Sequence, residues 1–191
     1  MNTEKLNALK ERAYKIAVAH DFHNEVKPDA YYLGLVMSEM GEAINADRCG
    51  RHADAKGFTY HIGIEWSFCM AFEMFIKDSV EDEIADVVIR LLDFAGLKEY
   101  ELVITQKDHD VATHVLSVFE KYKLPGVLFS LIGGLSDAFD EDFPEACIGT
   151  VICVLSDCFE KITGSNKDLW WFVKQKMRYN ELRPMLNGKK Y

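Results

Sequence analysis

The stretch VEDEIADVVIRLLDFAG, residues 80–96, repeats its apolar side chains at helical intervals. Ile84, Val87, Val88, Leu91, Leu92 and Ala95 stand at i, i+3, i+4, i+7, i+8 and i+11, which lays them along one face of a helix. Asp78 with Glu81 three residues later has the form of a capping box, so the helix is expected to begin near Asp78 and Ser79. Gly96 suits its end. Beside the stripe, Glu83 and Asp86 are three apart, so both carboxylates leave the same side of the helix, with Cβ atoms roughly 5–6 Å apart.

Outward from this segment the same period recurs. A helix is expected over about residues 3–20, with Leu6, Leu9, Ala13 and Ile16 or Ala17 inward, and another over about 30–48, with Asp29 as its cap. The second carries Glu39 and Glu42, again three apart. Residues 49–77 are less regular and rich in aromatics: Phe58, Tyr60, Trp66, Phe68, Phe72 and Phe75. Further helices are expected at about 108–122, 125–139, 144–163 and 166–183. With only four prolines and no long Gly/Ser linker, the chain reads as one all-α domain over 1–191. Its parts are an acidic half over about 1–98, additional helices over about 105–165 and a C-terminal helix from about 166.

Composition narrows the class. The 191 residues suffice for one substantial core, and 49% hydrophobic with 28% charged residues is ordinary for a globular protein. No apolar run approaches the roughly 20 residues that cross a bilayer, and the amphipathic start lacks a secretory signal. The five cysteines include no C-x-x-C pair, and Cys147, Cys153 and Cys158 lie in an apolar segment, so buried free thiols and a cytoplasmic location are expected. A net charge of −9 argues against a nucleic-acid groove.

The second half echoes the first. Setting residues from Leu128 under those from Leu33, and residues from Pro144 under those from Val80, brings most apolar positions into register. Ile148 then falls on Ile84, Val151 on Val87, Leu155 on Leu91 and Asp157 on Asp93. Gly134, Asp137, Cys147 and Thr150 fall on the four acids. A degenerate internal repeat and the general likeness of amphipathic helices both produce such a register. One metal site per chain, in the first half only, is expected.

Two facing pairs of carboxylates repel unless a cation joins them, and an all-oxygen shell suits Mg²⁺ or Mn²⁺. A solvated acidic helix accounts for either pair alone. The absence of E-x-x-H counts against a di-iron carboxylate bundle. In the last helix Lys176, Asn180 and Arg183 recur at i, i+4 and i+7, one face able to meet phosphate oxygens; a basic helix end complementing the macrodipole gives the same pattern. Arg90 and Asp93 continue the acidic stripe, as ligand contacts or as a structural pair. Lys77 precedes it. Phe22, His23 and Trp66 are candidates for meeting a base.

SEMGEAINADR, EDEIADVVIRLLD and the ending KQKMRYNELRPMLNGKKY together resemble the MazG-like all-α nucleoside triphosphate pyrophosphohydrolases. The likeness covers about residues 20–97 and 170–191, with a longer spacer between the acidic pairs and unmatched helices before the tail. It implies a MazG-like helical bundle in which Glu39, Glu42, Glu83 and Asp86 hold Mg²⁺ (Mn²⁺ substituting), with Glu39 or Glu42 as general base. It also implies Lys176, Asn180 and Arg183 on the substrate's phosphates, a homodimer, and hydrolysis of a nucleoside triphosphate to monophosphate and pyrophosphate in nucleotide house-cleaning. Arg90 and His23 join them as candidate substrate contacts read from their positions in the sequence. A non-catalytic nucleotide-binding module and a dUTPase-like enzyme on the same scaffold are the alternatives.

Overall fold

The computed structural model describes residues 2–64, 66–140 and 144–183, so Pro184 and the tail over 184–191 lie outside the described residues. The fold is all-α. Its helices are α1 (Thr3–Ala19), α2 (Asp29–Arg48), α3 (Ala55–His61), α4 (Phe68–Phe75), α5 (Val80–Leu97), α6 (Gln106–Asp140), α7 (Pro144–Thr163) and α8 (Leu169–Glu181). Among the described residues the sole β pairing is an isolated bridge between Ile62 and Trp66. No described helix is long and apolar enough to cross a membrane.

The helix that carries the acidic stripe is the hub. α5 packs against α1, α2, α7 and α8, while α6 lies along α7. Its apolar stripe from Ile84 to Ala95 is fully buried, and the burial extends around most of its circumference. Each buried Val, Leu or Ile side chain contributes about 1.5–3 kcal/mol, so this one helix anchors a large part of the core. The pairs α2–α5 and α6–α7 are the two most extensively packed, and α7 joins them by lying against α5.

Local details correct three expectations about helix ends. The cap of α5 is Ser79, whose side chain accepts from the Asp82 amide at 3.2 Å. Asp78 precedes it in the left-handed region (φ 61°), and Glu81 accepts from the Ala53 amide at 2.9 Å instead of closing a capping box. At α2 the cap position is Pro28, with no side-chain bond; Asp29 is already helical, and its carboxylate pairs with Lys98 at 2.7 Å. Gly96 lies inside α5, not beyond it. A Cβ there would stand 2.6 Å from the Tyr14 Cβ, so its use is the close approach of α1.

The expected helices over 108–122 and 125–139 are both present, as the two limbs of α6 that meet at the non-helical Lys123 (φ 52°, ψ −176°). Pro125 explains the break, because it has no N–H to donate and disfavours helical backbone at Leu124. The irregular stretch after Cys49 contains α3 and α4, whose Phe58, Phe68 and Phe72 pack edge to face or stacked. Cys153 and Cys158 are buried, Cys147 is half-buried, and all are free thiols.

Candidate functional site

α2 and α5 run side by side, and this brings acids 44 residues apart in sequence to one spot. Glu39, Glu83 and Asp86 each offer a carboxylate oxygen, and the three oxygens lie within 4.8 Å of one another. They line a pocket of about 450 Å³ that also takes in Glu42, Arg90, Lys77, Asn180 and Arg183. Glu42 stands exposed on the α2 side of that pocket. The cluster therefore contains three of the four expected acids, with the fourth at the pocket wall.

The electrostatics follow from burial. Glu83 is 5% exposed, and desolvation, reinforced by Asp86 and Asp82, pushes its carboxyl up to about 8. Glu39 is also raised by burial and by Asp86, against the pull of Arg90, whose Nε donates to Glu39 Oε1 at 3.0 Å. Arg90 serves Glu39 and Lys176 serves Asp86, but among the described residues Glu83 forms no ion pair, so the cluster is short of positive charge at Glu83. A hard divalent cation would relieve that shortage, and the donor set, all carboxylate oxygen, fits Mg²⁺ or Mn²⁺.

Lys176 reaches the pocket from α8 and is itself buried. Its ammonium donates to Asp82 Oδ2 at 2.8 Å and lies 2.7 Å from Asp86 Oδ2. Burial alone would lower its pKa, but Asp82 and Asp86 outweigh that and hold it protonated. Asp82, which the sequence pattern did not single out, is the buried anchor here. Besides Lys176 it accepts from the Asp78 amide at 3.0 Å. Its i, i+4 spacing to Asp86 was the available signal; the partner on α8 was not visible in sequence.

Asn180, in the last turn of α8, and Arg183, two residues past its end and so off the expected helix face, both line the pocket. The Asn180 Oδ1 is buried with no hydrogen-bond partner. His20 ties this end of α8 to α1: its ring nitrogens lie 2.8 Å from the Ile16 carbonyl and 3.0 Å from the Arg183 carbonyl.

The three base-contact candidates separate. Phe22 lines the pocket, with the Arg90 guanidinium 5.8 Å from its ring centre. His23 is held between Tyr14 and Tyr32, and its Nε2 donates to Asp93 Oδ1 at 2.7 Å, so Asp93 stands between it and the pocket. Burial raises the Asp93 carboxyl against that bond. Trp66 packs with His61 and Phe75, away from the pocket lining.

Compared with protein-family models, curated proteins and solved structures, the chain matches none.

Proposed function

We propose that this protein is a Mg²⁺-dependent nucleoside triphosphate pyrophosphohydrolase of the MazG-like kind, cleaving a (deoxy)nucleoside triphosphate to monophosphate and pyrophosphate. The observation that carries the proposal is the convergence of Glu39, Glu83 and Asp86 within 4.8 Å in a pocket also lined by Arg90, Asn180 and Arg183. Acids and cations around one pocket suit a polyphosphate bridged by metal, and suit few neutral ligands.

Glu39, Glu83 and Asp86, with Glu42 beside them, would hold the metal, which supplies charge neutralisation for the phosphates and acidifies the attacking water. Glu39 or Glu42 would take the proton of that water as general base; the exposure of Glu42 at the pocket wall supports it for the role. Arg90, Lys77 and Arg183 contribute charge-assisted contacts to phosphate oxygens. Asn180, which lines the pocket, would contact the ligand through its side-chain amide. Lys176 acts from behind, fixing Asp82 and Asp86. Phe22 is the aromatic surface available to a base. A homodimer and a house-cleaning role in the cytoplasm belong to the same proposal.

A screen of natural and modified nucleoside triphosphates with Mg²⁺ and Mn²⁺, read by pyrophosphate release, tests it. Turnover of at least one nucleotide, abolished by Glu42→Ala and by Asp86→Ala, is expected. Calorimetric binding without turnover of any nucleotide would point to a non-catalytic module instead.

A further inference from the structure

We propose that His109, Cys153 and Asp157 form a second metal site, a three-ligand centre for Zn²⁺ on the α6–α7 pair. His109 sits in the first turn of α6, while Cys153 and Asp157 follow at i, i+4 on α7, so one face of that helix presents both. The donor atoms converge. His109 Nδ1 lies 2.6 Å from Asp157 Oδ2 and 3.4 Å from Cys153 Sγ, and Cys153 Sγ lies 3.7 Å from Asp157 Oδ2.

Tetrahedral Zn²⁺ with bonds of about 2.0–2.3 Å holds its ligands roughly 3.3–3.8 Å apart. Two of the three separations already fall in that range. The third must widen by less than about 1 Å for such a geometry, and His109 and Asp157, at 46% and 35% side-chain exposure, have room to move. Cys153 does not need to move. It is 1% exposed and faces the other two donors, not an apolar wall alone.

The chemistry of the set selects the metal. A thiolate with an imidazole is a borderline-soft pair that favours Zn²⁺ over Mg²⁺, and three protein ligands leave a fourth position for water on the exposed side. On binding, the Cys153 S–H proton passes to solvent and the sulfur–zinc bond takes its place. Among the described residues no lysine or arginine forms an ion pair with Asp157, so the carboxylate is not already neutralised by a permanent cation. This centre lies in the second half and so departs from the expectation of one metal site per chain, in the first half only; that expectation weighs carboxylates, and the packing of α6 on α7 brings His109 beside Cys153 and Asp157. It does not rest on the nucleotide reading.

Titrating the reduced full-length protein with Co²⁺ is expected to give a thiolate-to-cobalt charge-transfer band that saturates at one equivalent and is displaced by Zn²⁺. Cys153→Ser should abolish the band. His109→Ala and Asp157→Asn, changes at partly exposed positions that leave the core intact, should weaken Zn²⁺ binding by at least ~10-fold. Cys147→Ser and Glu83→Gln should leave the band in place, separating this centre from the carboxylate cluster. Absence of the band, or its survival in both Cys153→Ser and His109→Ala, would overturn the site.

Discussion

Lys176 and Asp82 meet across 94 residues of chain, and each is nearly sealed from water. Removing one partner of such a pair leaves the other as an uncompensated buried charge. Lys176→Met is therefore expected to destabilise the fold by about 3–5 kcal/mol, and adding Asp82→Asn should restore part of the loss. Chemical denaturation of the two variants checks this. Glu83 gives a pH dependence of definite sign. Its carboxyl, raised from 4.5 to about 8 by burial and neighbouring acids, binds a proton more tightly in the folded than in the unfolded chain. The stability tied to that proton is complete below about pH 4.5 and is lost as pH rises through 8. Glu39 shifts in the same direction. Thermal melts of metal-free protein should show Tm falling across that window. Glu83→Gln should flatten the fall, and Mg²⁺ should oppose it at the alkaline end. A Tm that rises with pH there would contradict the electrostatic picture of the cluster.

Among the elements, α5 was the most legible in sequence because its stripe is long, unbroken and apolar. Helix ends were less so. Capping depends on which side chain finds an amide, and Ser79 competed successfully with Asp78 for the role. The break inside α6 was visible as Pro125, although the strained residue is Lys123, which takes a backbone conformation that glycine adopts most easily. Lys123→Gly should therefore raise stability by about 1 kcal/mol, since the exposed Lys123–Glu120 pair it removes is worth little. A denaturation midpoint that drops would show the break to be unstrained. The reverse case is Gly96, where Gly96→Leu should cost about 1–3 kcal/mol by forcing Tyr14 and α1 outward.

Across the whole molecule, what sequence revealed and what it hid divide along one physical line. Periodicity places residues on a helix face, so the all-α class and the two same-face acid pairs, Glu39 with Glu42 and Glu83 with Asp86, could be reasoned from spacing. Contacts between distant helices leave no spacing to read. Asp82 with Lys176, His23 packed behind Asp93, and His109 beside Cys153 all depend on how α1, α5, α6, α7 and α8 assemble. The echo between the halves has a counterpart in space. Asp93 and Asp157, which coincide in that register, each accept a hydrogen bond from a histidine. The central claim is that the α2–α5 acid cluster acts on a triphosphate together with Arg90, Lys77 and Arg183. It is tested most directly by following ³¹P resonances of a turned-over nucleotide with Mg²⁺ present. Equal amounts of nucleoside monophosphate and pyrophosphate, both missing in Asp86→Ala, are predicted. Release of inorganic phosphate with a diphosphate, or no turnover with Mg²⁺ or Mn²⁺ across the nucleotide set, would contradict it.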